Sequence, residues 1–260
     1  MRGRRGHTLP ELLVATVLSA LICSALAAAV MGGERLARSH GWRVQVGEAL
    51  RVAEAALGGD LRVVDPAADL RAIGEDSIVL RVFRGAGVVC ASGGGTVTVR
   101  YRGLRAAEPE KDSVLVIDDA GAGVAAPLIA VQAAGGECTA RAGESLRRWT
   151  LEEPAPPGTL LLVFETGGYH LADGALRYRR GESGRQPLTA ELLDVRRSGF
   201  HPSLSGGGGP AQPAWTSSIE GEFAPEVGPA RGGRAGEPFG AVRMRYVLMN
   251  GRGVGQGGEP

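Results

Sequence analysis

Four histidines, His7, His40, His170 and His201, are the first candidates for metal or acid–base chemistry, and no two of them have the spacing of a helical zinc motif. No metal site is expected. Ser, His and Asp side chains occur, but no serine sits in a nucleophile elbow, and the glycine-rich stretches lack the lysine of a phosphate-cradling loop. No catalytic residue and no cofactor is assigned, so the chain is not expected to be an enzyme. His170 falls in an alternating run, where a half-exposed sheet position accounts for it better than a ligand role. Arg177, Arg179, Arg180 and Arg185 could touch phosphates, but such runs usually form a solvated face, and nucleic acid is not an expected partner. The carboxylate whose position demands an explanation is Glu11. It stands at the edge of an uncharged run, where burial in lipid costs on the order of 3 kcal/mol near the helix centre and less at the interface. A desolvated carboxylate there needs a cation close by.

The element that must position Glu11 is the run from Leu12 to Met31. It carries no charge, and at 1.5 Å per residue it makes about 30 Å of helix, one bilayer core. Arg2, Arg4 and Arg5 precede it, so the positive-inside bias places the N-terminus in the cytoplasm and the chain beyond about Gly32 outside. A cleavable secretory signal would use a small-x-small site, which Ala25 to Ala29 can supply, and a plain signal anchor would keep the run. Neither needs Glu11.

The sequence length of 260 residues, 43% hydrophobic and 22% charged, is enough for a real core, and the net charge of +1 gives no basic field over the whole molecule. Forty-two glycines and fifteen prolines against 5% aromatics predict many turns and long loops. After the apolar run a helical rhythm continues from Glu34 to Leu61. Trp42, Val46, Ala49, Leu50, Ala53 and Leu57 recur at steps of three and four, which predicts a stripe lying on a sheet while Arg38, Arg43, Glu48 and Arg51 face water. Gly58-Gly59 is a place for the helix to loosen or end. Alternating runs at Ser77–Phe83, Thr96–Tyr101, Ser113–Asp118, Thr159–Glu165 and Val242–Leu248 predict strands, and Asp173-Gly174 predicts a two-residue hairpin turn between Tyr169–Ala172 and Ala175–Tyr178.

The expected fold class is α+β, a long N-terminal helix packed on an antiparallel β-sheet. The expected organisation is a leader at 1–6, a transmembrane and assembly helix at 7–31, an amphipathic stalk at 32–61, and a β-rich extracytoplasmic domain at 62–250. That domain would hold a Gly/Pro-rich loop at 204–238, and 251–260 would be a tail. Cys23 lies within the apolar run and is expected to be unpaired. Cys90 and Cys138 both lie in the exported part, where an oxidising compartment permits a disulfide worth about 4 kcal/mol in the loop-entropy account; two buried free thiols are the alternative.

The residues Gly6-His7-Thr8-Leu9-Pro10-Glu11-Leu12-Leu13, behind a short basic leader, resemble the class III signal of type IV prepilins and type II secretion pseudopilins. The resemblance covers about the first thirty residues. It implies that a prepilin peptidase cuts between Gly6 and His7 on the cytoplasmic face, that the His7 amine is N-methylated, and that the apolar helix stays with the mature chain. Glu11 then stands fifth, where the family's glutamate is proposed to pair with a neighbouring subunit's amino terminus and set register. His7 departs from the family's usual phenylalanine, which bears on methylation, and Pro10 replaces an aliphatic residue. Proline is tolerated there because its missing N–H lies in the unsatisfied first turn. The stretches LGGDLRVVD, TVTVRYRG and YHLADGALRYRR are similar to those of PilW-type minor pilins, and the J-class minor pseudopilins of type II secretion share much of this plan; competence pseudopilins are a further alternative. The implied partners are the peptidase, other pilins or minor pilins, and the inner-membrane assembly platform. The implied location is the inner membrane, with one N-terminal pass, and then a pilus or pseudopilus.

Overall fold

The computed structural model describes residues 8–136, 138–205, 215–228 and 240–248. The expected leader, its Gly6–His7 junction, the tail 251–260 and much of the expected Gly/Pro-rich loop at 204–238 lie outside the described residues. One helix, α1 (Leu9–Leu61, 53 residues), leads into twelve strands: β1 (Leu70–Ile73), β2 (Ser77–Gly93), β3 (Thr96–Gly103), β4 (Ser113–Ile117), β5 (Gly123–Ala133), β6 (Ser145–Leu151), β7 (Leu160–Ala172), β8 (Ala175–Arg180), β9 (Gln186–Pro187), β10 (Gly199–Ser205), β11 (Trp215–Phe223) and β12 (Val242–Val247). All their pairings are antiparallel. The chain is thus α+β, with a long N-terminal helix and a large antiparallel sheet.

The helix packs by its expected stripe. Val46, Ala49, Ala53 and Leu57 are buried, as is Leu61, while Arg38, Arg43, Glu48 and Arg51 are exposed. The helix passes through Gly58-Gly59 and ends at Leu61. Leu61 is fully buried and Gly58 lies against the Tyr246 ring, so packing outweighs the weak helix propensity of glycine. Ala53, Leu57 and Leu61 of this stripe form one core with Ile78, Leu80 and Val82 of β2, Tyr169 and Leu171 of β7, Leu176 of β8, and Ile219, Phe223 and Tyr246 of a separate three-stranded sheet, β10-β11-β12. The expected loop at 204–238 is therefore interrupted: β11 stands in its middle and pairs with both β10 and β12.

The larger sheet does more than lie on the helix. Its order is β1-β2-β3-β6-β5-β4-β7-β8-β9, and β2 also pairs with β7, so β2, β3, β6, β5, β4 and β7 close on themselves as a small barrel. The barrel has its own core, with Val97, Val99 and Tyr101 around Trp149, and Val114, Leu128, Leu161 and Val163 completing it. Closure removes open edges from this part of the sheet. The hairpin turn lies where Asp-Gly predicts, with Asp173 at φ 49° and Gly174 at φ 73°.

Two long strands join the barrel to the helix-backed platform. In β7 the odd positions Leu161 and Val163 fill the barrel, and Tyr169 and Leu171 meet the helix. Glu165 is the residue of that same series at the crossing. In β2 the register with β7 slips between Phe83 and Gly85, so Arg84 occupies a bulge. The slip moves the inward series from Ile78, Leu80 and Val82 to Val89, as a one-residue offset must in a strand of period two.

Candidate assembly helix and its charged anchor

The first half of α1 has no cover. Leu12, Leu13, Val14, Val17, Leu18, Leu21, Ile22, Leu26, Val30 and Met31 are exposed on every side, and the most apolar window of the helix is 0% buried. The helix is long and apolar enough to cross a membrane, consistent with a single-pass membrane protein. Its start is fixed locally. Thr8 is the N-cap in extended conformation, Leu9-Pro10 opens the first turn, and the Glu11 carboxylate accepts the Thr8 backbone N–H at 2.9 Å. Within the described residues Glu11 therefore caps the very turn from which the apolar half departs.

The other end of α1 is held by charge. Asp60, in the last turn, receives Arg84 Nη1 at 3.0 Å, and its Oδ2 lies 2.6 Å from the Tyr169 hydroxyl. Arg84 Nε donates to Glu165 Oε1 at 2.8 Å, and the Tyr178 hydroxyl donates to the same oxygen at 2.6 Å. Glu165 Oε2 takes Arg105 Nη2 at 2.8 Å, and Arg105 forks onto Asp112 at 2.6 and 2.7 Å. Arg180 closes the chain onto Asp112 at 2.8 Å and Glu108 at 3.1 Å. The helix end, both long strands, β8 and the loop between β3 and β4 are thereby tied through one run of alternating charge.

Burial pushes the Glu165 carboxyl upward, but hydrogen bonds from Tyr178 and Arg84 and the neighbouring guanidinium charge hold it below the ordinary range. The same contest, won by Arg105, the Glu108 N–H and Arg180, lowers Asp112. Burial and the Asp60 carboxylate push the Tyr169 hydroxyl far up, so it stays a neutral donor. The cluster is thus a set of matched, fixed charges. It is suited to holding barrel, platform and helix in one arrangement.

The sites singled out in the sequence do not converge. Cys90 on β2 and Cys138 form a disulfide with Cα atoms 6.3 Å apart, tying the loop after β5 to the barrel, and Cys23 is an exposed free thiol on the apolar half-helix. Glu11 stands about 70 Å from Asp60 along the helix. Among the described residues no group of His, Cys, Asp and Glu side chains is placed to hold a metal ion. A 490 Å³ cavity opens between the loop after α1 and the outer barrel wall, lined by Val63, Phe83, Leu115, Ile117 and Leu162 over the buried Arg81–Asp69 pair. Sequence reasoning passed over Arg84, Arg105 and Glu165. Their only signal was a charged residue on the inward parity of an otherwise apolar strand, at position 165. Comparison with protein families, curated proteins and solved structures finds no match.

Proposed function

We propose that the chain is a minor subunit of a type IV pilus or a related pseudopilus, cut between Gly6 and His7 by a prepilin peptidase and assembled through its apolar half-helix. One observation carries this reading: a single helix whose N-terminal half is apolar and uncovered all round, with a carboxylate in its first turn, and whose C-terminal half is built into a folded domain. A plain anchor needs the apolar half but not Glu11. An assembling subunit uses both, since sister helices bury the apolar surface as it leaves the bilayer, and Glu11 meets a neighbour's amino terminus. His7 would carry that amine and be the N-methylated residue. The globular domain selects partners, other minor pilins at a filament tip among them, and the membrane-embedded subunit docks on the inner-membrane assembly platform before incorporation.

The processing test is intact-mass analysis after co-expression with an active prepilin peptidase. Removal of residues 1–6 with the apolar helix retained is the expected result. Loss of the whole apolar run, or no cleavage while a control prepilin is cut, refutes it. The assembly test replaces Glu11→Gln. The variant should still be cut and reach the membrane yet enter sheared filaments poorly, because a buried amine would lack its counter-charge. Wild-type incorporation would eliminate the charge-pairing role.

A further inference from the structure

The four arginines around β8 separate into two kinds once folded. Arg180 lies on the helix side and is consumed by Asp112 and Glu108, and Arg177 is paired with Asp173 and Glu191. Arg179 and Arg185 have no hydrogen-bond or ion-pair partner among the described residues. Strand parity puts Arg179 on the sheet face away from α1, and its partner across the ladder is Gly168. Gln186 pairs with Tyr178, which brings Arg185 beside Arg179.

His170 belongs to this same face. It is only 7% exposed, and its Nε2 is buried with no hydrogen-bond partner. The ring lies over Gly168, where an added Cβ would stand 2.8 Å from Nε2. A side chain at 168 would fill the space the imidazole occupies, so glycine there is what lets the ring lie beside the Arg179 position. An orphaned buried nitrogen beside two unneutralised guanidiniums lacks one thing, an acceptor with negative charge. The charged groups around the ring are Arg177 and Arg179 from β8, Arg185 ahead of β9, and Asp76 ahead of β2.

We propose that Arg179, Arg185 and the His170 imidazole form a receptor for a phosphate group on the sheet face opposite the helix. The tetrahedral oxyanion bridges the two guanidiniums and accepts from the imidazole once the exposed Arg185 side chain admits it. Burial and then the Arg185 and Arg179 charges lower the His170 pKa, against a smaller upward pull from Asp76. Occupancy reverses that charge effect, so binding raises the His170 titration midpoint, and binding tightens as pH falls through it.

The experiment uses the full chain in detergent micelles, with histidine ring carbons labelled and followed by NMR. His170 is identified by the signal missing in His170→Gln. Wild type is titrated with acid in inorganic phosphate and in chloride at equal ionic strength. The His170 midpoint should stand higher in phosphate, and Arg179→Gln with Arg185→Gln should raise it in chloride and abolish the difference between salts. Calorimetry should show phosphate binding by the wild type, a result that depends on no variant folding, and binding about tenfold weaker in Arg179→Gln. Glycerol 3-phosphate binding more tightly than inorganic phosphate would identify a phosphomonoester as the ligand, and the reverse order the free ion. Coincident wild-type titrations in the two salts, binding of neither compound, or a phosphate effect that survives in the double variant would overturn the receptor.

Discussion

Residues 9–31 and 46–61 belong to one helix and live under different physics. In the upper half a single stripe is apolar, and its cover is supplied by this chain, with Leu57 and Leu61 at 0% exposure. In the lower half every face is apolar and none is covered, with Leu18 at 54% and Ile22 at 60%. An amphipathic helix completes a core, whereas a helix apolar all round needs a surrounding that its own domain does not provide. The same backbone thus serves two environments, and what separates them is the distribution of side chains around the axis.

Deleting residues 9–31 should have the largest effect on one property and almost none on the other. Fractionation should move the protein wholly from membrane to soluble fractions, while the melting temperature of the variant with its Cys90–Cys138 bridge formed stays within about 2 °C, because the deleted surface makes no buried contact with the domain. A collapse in stability would show that the lower half contributes to the fold. Leu57→Ala reverses the pattern: about 4 kcal/mol lost in chemical denaturation, with membrane attachment intact.

Glu165→Gln tests the tie between the upper half and the barrel. Leaving Arg84 and Arg105 short of a buried counter-charge should cost about 3 kcal/mol. The pH dependence has a definite sign. Glu165 and Asp112 have folded pKa values below their ordinary values of 4.5 and 3.8, so they stabilise the protein above that range and the contribution is lost as pH falls through the folded values. Unfolding measured between pH 7 and pH 3 should show wild type losing stability on acidification, with the Glu165→Gln curve flatter. Parallel curves would mean that Glu165 does not carry the effect.

Reducing the Cys90–Cys138 bridge should cost about 2 kcal/mol, toward the low end for such a loop because it fastens a connecting segment rather than a core strand. Alkylation and peptide mapping of protein from the cell envelope should find both cysteines blocked until reductant is added. The smallest effect belongs to Leu18→Ala, within about 0.5 kcal/mol in chemical denaturation. A loss comparable to that of Leu57→Ala would erase the contrast between the halves.

The helix, its apolar stripe, the Asp173-Gly174 hairpin and strands at 77–83, 96–101, 113–118, 159–165 and 242–248 were legible because each rests on local chemistry: a period, a turn residue, a charge-free run. Strands β5, β6, β10 and β11 were not, since Pro127 and Pro202, paired arginines at 147–148 and a Gly/Pro-rich surrounding blur their alternation. Barrel closure was equally hidden, because it depends on β2 pairing with β3 and β7 at once, across long stretches of chain. Arg84 and Glu165 read locally as solvated charges. Sequence alone determined the helix, the hairpin, the most regular strands and the segment suited to lipid, since those depend on near neighbours. Only the tertiary structure decided which arginines are neutralised and that His170 lies buried beside two that are not, because a charge is satisfied by whatever distant part of the chain the fold brings against it.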